Sequence, residues 1–234
     1  MAIKGSKRYR KAAKQVDANG AYALEDAVDL LGKFPRAKFD ESVELSFHLG
    51  VDPRQSDQMV RGTVALPHGS GKKVRVLVFA KPGAAADAAV EAGAEFVGFE
   101  DMLKKCQEGW TDFDVAVATP EAMSEVRKLG KVLGPRGLMP NPKTGTVTDD
   151  TAKAVREVKA GRVEYKVDKT ANLHVPVGKV SFAKDQLVEN ARAVLEVVVR
   201  ARPQAVRGTF IKNCVIAATM SPSVRLDAKE YNKV

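Results

Sequence analysis

The stretch that decides the fold of the middle of this chain is KVRVLVFA, residues 73–80. Its length and its valine content predict a buried β-strand. Further segments alternate along the chain: a helix at 84–92, a strand at 94–98, a helix at 100–107, a strand at 114–119 and helices at 121–129 and 149–159. Because strands that alternate with helices form right-handed βαβ units, these segments predict a parallel sheet in a small Rossmann-like domain of three layers.

The two flanks of this segment predict an α+β architecture instead. From residue 43 to residue 51, apolar side chains alternate with polar ones, which is the period of a strand with one buried and one available face. The other expected elements are helices at 6–16, 23–33 and 182–201 and strands at 161–167, 173–177 and 210–219. Since neither flank has enough elements to fold alone, we predict two domains. A split α+β domain of residues 1–67 and 160–234 holds both termini, and a Rossmann-like α/β domain of residues 68–159 is inserted in it.

Glycine-rich stretches lie where the chain would cross between these domains, near residues 66–71 and 159–161. This composition favours a hinge, and a fixed, tightly packed interface is the alternative.

The charge of the chain is unevenly distributed. The formal net charge is +9, from 38 basic and 29 acidic side chains. Counted along the sequence, residues 1–69 carry a net +2, residues 70–159 a net +1 and residues 160–234 a net +6. If the two ends form one domain, that domain is the basic one and a polyanion is its expected partner. A charge surplus that only keeps the protein soluble is the alternative.

The composition also argues against several protein classes. No apolar run approaches the roughly 18 to 20 residues that a membrane helix needs. The basic start, residues 1–14, lacks the apolar segment of a secretory signal. Cys106 and Cys214 have neither the spacing of a metal site nor that of a redox motif. We therefore expect a cytoplasmic protein with no membrane segment, no disulfide framework and no metal site.

Residues 134–145, GPRGLMPNPKTG, form a segment of unusual composition. Its prolines fix φ, its glycines allow φ values that other residues resist, and no acidic residue occurs from 126 to 148. We expect neither helix nor strand here. Arg136, Lys143 and backbone N–H groups near the glycines suit a phosphate cradle. A rigid packing element beside the hinge is the alternative, and it is the one that we favour.

Nucleotide-binding and catalytic motifs are not found. Residues 69–72, GSGK, lack the first glycine and the following Ser or Thr of a P-loop, and a strand follows where a helix is required. Residues 81–83, KPG, lack the further glycines of a dinucleotide fingerprint. His48, His68 and His174 have no metal-ligand or catalytic spacing. We expect no enzymatic activity and no cofactor. A Rossmann-type nucleotide-binding enzyme, whose residues meet only on folding, is the alternative.

Residues 131–147, KVLGPRGLMPNPKTGTV, resemble the signature of the L-one family of large-subunit ribosomal proteins in its bacterial form. Other segments fall in the family's order: KFDESVE at 38–44, LPHG at 66–69, GRVEY at 161–165, DKT at 168–170, PVGK at 176–179 and TM at 219–220. The resemblance extends over nearly the whole chain.

The resemblance implies a split α+β domain with a Rossmann-like insertion, and a function without catalysis. Members of the family bind the ribosomal RNA of a mobile stalk near the tRNA exit site, where they assist the release of deacylated tRNA. In bacteria they also bind the leader of their own messenger and repress its translation. The expected partners are therefore stalk ribosomal RNA, the protein's own messenger leader and, as a further candidate, exit-site tRNA. We expect a monomer when free, located in the cytoplasm on the ribosome.

The resemblance also implies which residues contact RNA. They are Lys38, Phe39, Ser42 and Glu44 around the first long strand, Asp168, Lys169, Thr170 and His174 in the second half of the chain, and Thr219, Met220 and Ser221 after the last long strand. Lys38 and Lys169 would bind phosphates. Phosphate repels Glu44, so we expect its carboxylate to accept hydrogen bonds from ribose 2′-OH or base amino groups. Ser221 stands where the family usually has glycine. If RNA approaches the backbone closely there, or if φ is positive, a Cβ would cost about 1 kcal/mol or more.

Overall fold

A computed structural model describes residues 5–17 and 20–231 of the chain, with the side chain of Lys143 outside that description. The strands are β1 (Ser42–Leu49), β2 (Arg61–Ala65), β3 (Val76–Phe79), β4 (Phe96–Gly98), β5 (Val115–Ala118), β6 (Arg162–Lys166), β7 (Asn172–Lys179), β8 (Ile211–Ala218) and β9 (Val224–Arg225). The helices are α1 (Lys7–Ala13), α2 (Leu24–Gly32), α3 (Ala84–Glu91), α4 (Glu100–Gln107), α5 (Met123–Val126), α6 (Gly130–Leu133), α7 (Thr151–Lys159), α8 (Lys184–Arg200) and α9 (Ala228–Tyr231). The expectation of a mixed α/β fold is thus confirmed.

The chain divides into two compact units. Unit 1 comprises Met1–Gly71 and Val163–Val234, and unit 2 comprises Lys72–Arg162. The sequence predicts a discontinuous domain of residues 1–67 and 160–234 and an inserted domain of residues 68–159. That division into domains stays a prediction.

Unit 1 is built on a four-stranded sheet with the order β7-β1-β8-β9, and β1 is antiparallel to both of its neighbours. The alternation expected for β1 is present: Val43, Leu45 and Phe47 are buried, and the side chains between them are not. The helices α2 and α8 contact each other and the sheet. The buried side chains of α8 recur at helical spacing, at Leu187, Ala191, Val194, Leu195 and Val198. One face of the sheet is therefore core, and the other carries polar side chains.

Unit 2 contains the parallel sheet that the sequence predicts, with the order β4-β3-β5. The central strand β3 is buried on both faces. Leu77 and Phe79 join a core cluster with α4 and α5, whereas Val76 and Val78 join a second cluster with α3 and α7. Helices cover both faces, which explains why the strand reads as an unbroken apolar run.

The segment 134–145 corrects one expectation, because part of it is helical. Pro142–Thr144 forms a 3-10 turn, for which proline at the first position sacrifices no hydrogen bond. Thr144 and Thr146 are buried, and the carbonyl oxygen of Asn141 accepts hydrogen bonds from both hydroxyls, at 3.1 and 3.2 Å. These groups are satisfied within the segment, and the residues that follow it pair with β5. The contacts of these residues are those of a packing element.

The sequence pattern did not predict two short strands, nor the interruption of one expected helix. The strands β2 and β9 are not predicted, since β2 contains a glycine and β9 has only two residues. The helix expected at 121–129 is instead α5, a 3-10 turn at Arg127–Leu129 and α6. Helical periodicity is similar for both kinds of turn over so few residues, so the sequence does not separate them.

Candidate nucleic-acid interface

The polar face of the unit 1 sheet is organised in rows across three strands, with β1 in the centre. In these rows Glu44 lies between Pro176 and Ala217, Ser46 between His174 and Val215, and His48 between Asn172 and Asn213. Glu44, His48 and His174 are exposed, and Ser46 is half-buried. We call these rows, together with the residues at the Ser42 end of β1, the polar face.

Cross-strand hydrogen bonds order two of these rows. The hydroxyl of Ser46 lies 2.9 Å from Nδ1 of His174, and Nδ1 of His48 lies 2.9 Å from Oδ1 of Asn172. An amide oxygen only accepts, so His48 donates from Nδ1, and the other ring nitrogen is left for a different partner. The side chains of β1 and β7 therefore hold each other in place before any ligand arrives.

At the Ser42 end of β1, two segments that are far apart in sequence are joined. The backbone N–H of Ser42 donates to the hydroxyl of Thr219 at 3.0 Å, and the N–H of Thr219 donates to the carbonyl of Ser42 at 2.9 Å. The ammonium group of Lys179 donates to the hydroxyl of Ser42 at 2.7 Å. The hydroxyl of Thr219 is thus already engaged with β1, and its first effect is to position the turn that follows it.

Two large apolar side chains lie exposed at this same end. Phe39 is 52% exposed and Met220 is 70% exposed. Met220 has φ of 60°, a left-handed conformation that is rare and unfavourable for a residue with a Cβ. A strained residue that presents a large apolar side chain to solvent is typical of a contact site.

The turn that contains Ser221 shows whether this residue has a positive φ. The non-glycine residues with positive φ in the described part of the chain are Ala171 and Met220, so Ser221 does not occupy a left-handed position. The N–H and the hydroxyl of Ser221 both donate to the carbonyl of Ala218, at 3.0 and 2.8 Å. The condition of a positive φ at Ser221 is therefore not met, because the left-handed conformation falls on Met220 and serine closes the turn.

The three residues Asp168, Lys169 and Thr170 form the turn before β7, at the end of β1 opposite Ser42. Six steps of strand separate that end from Ser42, which is about 20 Å. One carboxylate oxygen of Asp168 accepts from the N–H groups of Thr170 and Asn172, each at 2.8 Å. The N–H of Asn172, followed by the groups of Thr170, lowers the pKa of Asp168. Asp168 therefore shapes the turn, and the exposed Lys169 beside it stays a predicted phosphate contact.

The fold thus distributes the expected RNA contacts along β1, with a group at each end and His174 between them. Lys38, Phe39, Ser42, Glu44, Thr219, Met220 and Ser221 lie near one end, His174 lies in the middle row, and Asp168, Lys169 and Thr170 lie at the other end. Sequence reasoning did not identify Lys179 or Arg8. The guanidinium of Arg8 binds the carboxylate of buried Glu41 at 2.5 Å and the carbonyl of Met220 at 3.3 Å. Only the strand register and the position of α1 could have pointed to these two residues.

Unit 2 contains a cavity of about 930 Å³, which is where a nucleotide would bind if the protein were a Rossmann-type enzyme. It lies at the carboxyl ends of β3 and β4, where nucleotides bind in many α/β proteins. Its charged lining is mostly acidic, with Asp87, Glu100 and Asp101 against Lys81. That balance opposes the binding of nucleotide phosphates. In the described part of the chain, no group of three His, Cys, Asp or Glu side chains is arranged to hold a metal ion.

Comparison with known protein families gives a match over most of the chain. The sequence model described as the Ribosomal protein L1p/L10e family matches residues 31–222. The match includes most of the strands that form the polar face and all of unit 2. Among the helices that the structure describes, none has the length and apolar character needed to cross a membrane.

Proposed function

Because the chain belongs to the Ribosomal protein L1p/L10e family, we propose that it binds the stalk ribosomal RNA near the tRNA exit site and assists the release of deacylated tRNA. We also propose that it represses translation by binding its own messenger leader, and that the free protein is a monomer. Membership of the family by itself implies the general role, which is a structural role in the ribosome, binding to ribosomal RNA and a location on cytoplasmic ribosomes.

The observation that supports this proposal most is the pair of exposed apolar side chains beside an ordered polar strand. Phe39 and Met220 flank the end of β1 at which Ser42 and Thr219 are bonded together. RNA is recognised through unstacked bases, ribose hydroxyls and shape, and apolar or aromatic side chains supply surfaces on which bases and riboses pack. An arrangement of this kind suits a folded RNA element better than a uniform duplex.

The charged groups of the polar face have two different roles in the proposed binding of RNA. Lys38 and Lys169 are exposed, and they supply the salt-dependent attraction to phosphates. Glu44 is exposed between Pro176 and Ala217, two residues without side-chain charge. Its carboxylate accepts hydrogen bonds from ribose 2′-OH or from base amino groups, and of these donors the 2′-OH is the one that DNA lacks. Lysines therefore give affinity, and Glu44 gives selectivity.

Repression follows from the use of one surface for two RNAs. If stalk RNA and the messenger leader both bind the polar face, each excludes the other, and free protein accumulates on the messenger only when stalk RNA is scarce. The two RNAs should then compete in a binding assay with the same order of effects across variants of Glu44, Phe39 and Met220.

The test is a comparison of two RNAs at matched salt, a stalk-RNA fragment and a random duplex of equal length. The protein should bind the stalk fragment at least a hundredfold more tightly, and equal affinities would refute specific RNA binding. Glu44→Ala should weaken the stalk complex about tenfold while the dependence of affinity on salt stays the same, because Glu44 neutralises no phosphate. Glu196→Ala is the matched control, since Glu196 is an exposed glutamate of α8, the helix packed against the core of unit 1. An unchanged affinity for Glu44→Ala would remove that residue from the site.

We also propose that the split part of the chain folds and binds RNA without the insertion. A shortened chain that joins residues 1–71 to 163–234 through a short Gly/Ser linker should keep most of the affinity for the stalk fragment. Loss of binding by a shortened chain that is folded by circular dichroism would show that unit 2 contributes contacts of its own.

A further inference from the structure

A cavity of about 450 Å³ lies between α1 and the β8–β9 side of the polar face, and the RNA contacts expected from the sequence do not reach it. Its volume is within the roughly 300–1,000 Å³ of typical ligand sites. Asn213 and Val215 of β8 line it from the sheet, and Tyr9 of α1 lines it from the helix. Arg225 of β9 and Asp17 add one basic and one acidic side chain to the lining.

This cavity is continuous with the polar face. Val215 is paired with Ser46 on one side and with Arg225 on the other, and Asn213 is paired with His48. Neighbouring strands lie about 4.8 Å apart, so the sheet side of the cavity begins one strand away from β1. An RNA that lies along β1 would therefore run one strand away from the sheet side of this cavity.

The side-chain amide of Asn213, in the cavity wall, lacks a hydrogen bond to its oxygen atom among the described residues. Oδ1 of Asn213 is shielded from solvent, and it has no hydrogen-bond partner in the described part of the chain. A buried acceptor without a partner destabilises the fold, and a ligand that supplies a donor recovers the lost hydrogen bond. The terminal torsion of asparagine is broad, and a rotation that brings Oδ1 to a ligand breaks no hydrogen bond of Oδ1 to the residues that the structure describes.

The wall opposite Asn213 is held in place. Arg8, the neighbour of Tyr9 in α1, is bonded to Glu41 and to the carbonyl of Met220. The N–H of Tyr9 donates to the hydroxyl of Ser6, which caps the helix at 3.2 Å. The ring of Tyr9 is therefore carried on a helix that is tied to both β1 and the Met220 turn, so its distance from the sheet is set.

We propose that this cavity takes one unpaired base of the bound RNA, an inference that rests on the RNA-binding function proposed above. The base stacks on the ring of Tyr9. The amide of Asn213 pairs with the Watson–Crick edge, which places a hydrogen-bond donor beside an acceptor in every base. The guanidinium of Arg225, which is exposed, binds the adjoining phosphate. Because a base that is paired in a duplex cannot enter, the cavity selects RNA in which one nucleotide is turned outward.

The experiment measures binding of the full-length chain to the stalk-RNA fragment and to the random duplex, together with chemical probing of each complex. Asn213→Leu should weaken the stalk complex about tenfold and leave binding to the duplex unchanged. Tyr9→Leu should weaken it about tenfold as well, whereas Tyr9→Phe, which keeps the ring, should bind like the parent protein. Gln204→Leu, an exposed amide in the segment after α8, is the matched control and should change neither affinity.

Chemical probing supplies the readout that a structural role would not move. Dimethyl sulfate reports the Watson–Crick edges of unpaired adenine and cytosine, and a carbodiimide reports those of uracil and guanine. One unpaired base should be protected in the parent complex and reactive again in the Asn213→Leu complex, with the other protections retained. If stalk RNA is preferred but both leucine variants bind like the parent protein with the same protections, this inference is overturned and the RNA-binding function stands. If the parent protein binds both RNAs equally, the proposed function fails, and the inference fails with it.

Discussion

Replacement of Met220 by glycine should make the protein more stable and a weaker RNA binder at the same time. Met220 has φ of 60°, where a residue with a Cβ pays roughly 1–2 kcal/mol. Glycine removes that cost but loses about 0.5–1 kcal/mol through the greater freedom of the unfolded chain. The side chain is 70% exposed, so little packing is lost. The expected net gain is about 0.5–1 kcal/mol in the free energy of unfolding.

The affinity for RNA should fall while stability rises, because the glycine variant removes an apolar surface that RNA covers in the proposed complex. We expect the affinity for the stalk fragment to fall about tenfold, with little change in its dependence on salt. Urea denaturation followed by circular dichroism measures the stability, and filter binding measures the affinity.

Ala171→Gly is the matched control for this experiment. Ala171 has φ of 63° and is buried, so its glycine variant relieves similar strain but loses one buried methyl group, worth about 0.8 kcal/mol. Its stability should change little, and its RNA affinity should stay within twofold. A Met220→Gly protein that is less stable than the parent would refute the argument from strain. One that binds stalk RNA as tightly as the parent would refute the assignment of Met220 to the interface.

Two further predictions concern stability alone. Asn190 is fully buried, and its side-chain amide makes hydrogen bonds to three backbone groups at 2.8 to 3.0 Å. Asn190→Ala should therefore lower the free energy of unfolding, measured by urea denaturation, by about 2–4 kcal/mol. A loss below about 1 kcal/mol would contradict this prediction. The ammonium of Lys72 is the main group that lowers the pKa of Asp114 from 3.8 to about 2. A lowered pKa stabilises the fold above pH 4, and this contribution is lost as the pH falls towards 2. Asp114→Asn should therefore cost about 1 kcal/mol at pH 7, after allowance for the exposed Lys72, and close to nothing at pH 2. The fluorescence of Trp110, the single tryptophan, follows this unit, and a cost that is equal at both pH values would exclude the ion pair as the cause.

Local patterns predicted the elements of this fold well wherever one period ran long enough. The alternation from 43 to 51 predicted β1 and its polar face, and the apolar run at 73–80 predicted the buried centre of a parallel sheet. The resemblance to a ribosomal protein family was confirmed by the match over residues 31–222. The elements that were missed, such as β2 and β9, are too short for a period to show.

The expected site residues could be named from the sequence, but their physical roles could not. Thr219 was expected to contact RNA, and the structure shows its hydroxyl bonded to Ser42. Asp168 was expected at the interface, and its carboxylate is used to shape the turn before β7. In both cases the side chain bonds to nearby backbone groups of the protein. These groups compete with RNA for the side chain, and a sequence motif does not reveal that competition.

By itself, the sequence determined the classes of secondary structure, the family and the basic character of the chain ends, because these depend on local periodicity, motif order and composition. The tertiary structure alone decided which side chains share a row of the polar face, that Met220 carries the strain and that a cavity lies between α1 and β8. The physical reason is the separation of the partners along the chain. Ser42 and Thr219 stand 177 positions apart, and only the register of the paired strands brings their atoms within 3.0 Å.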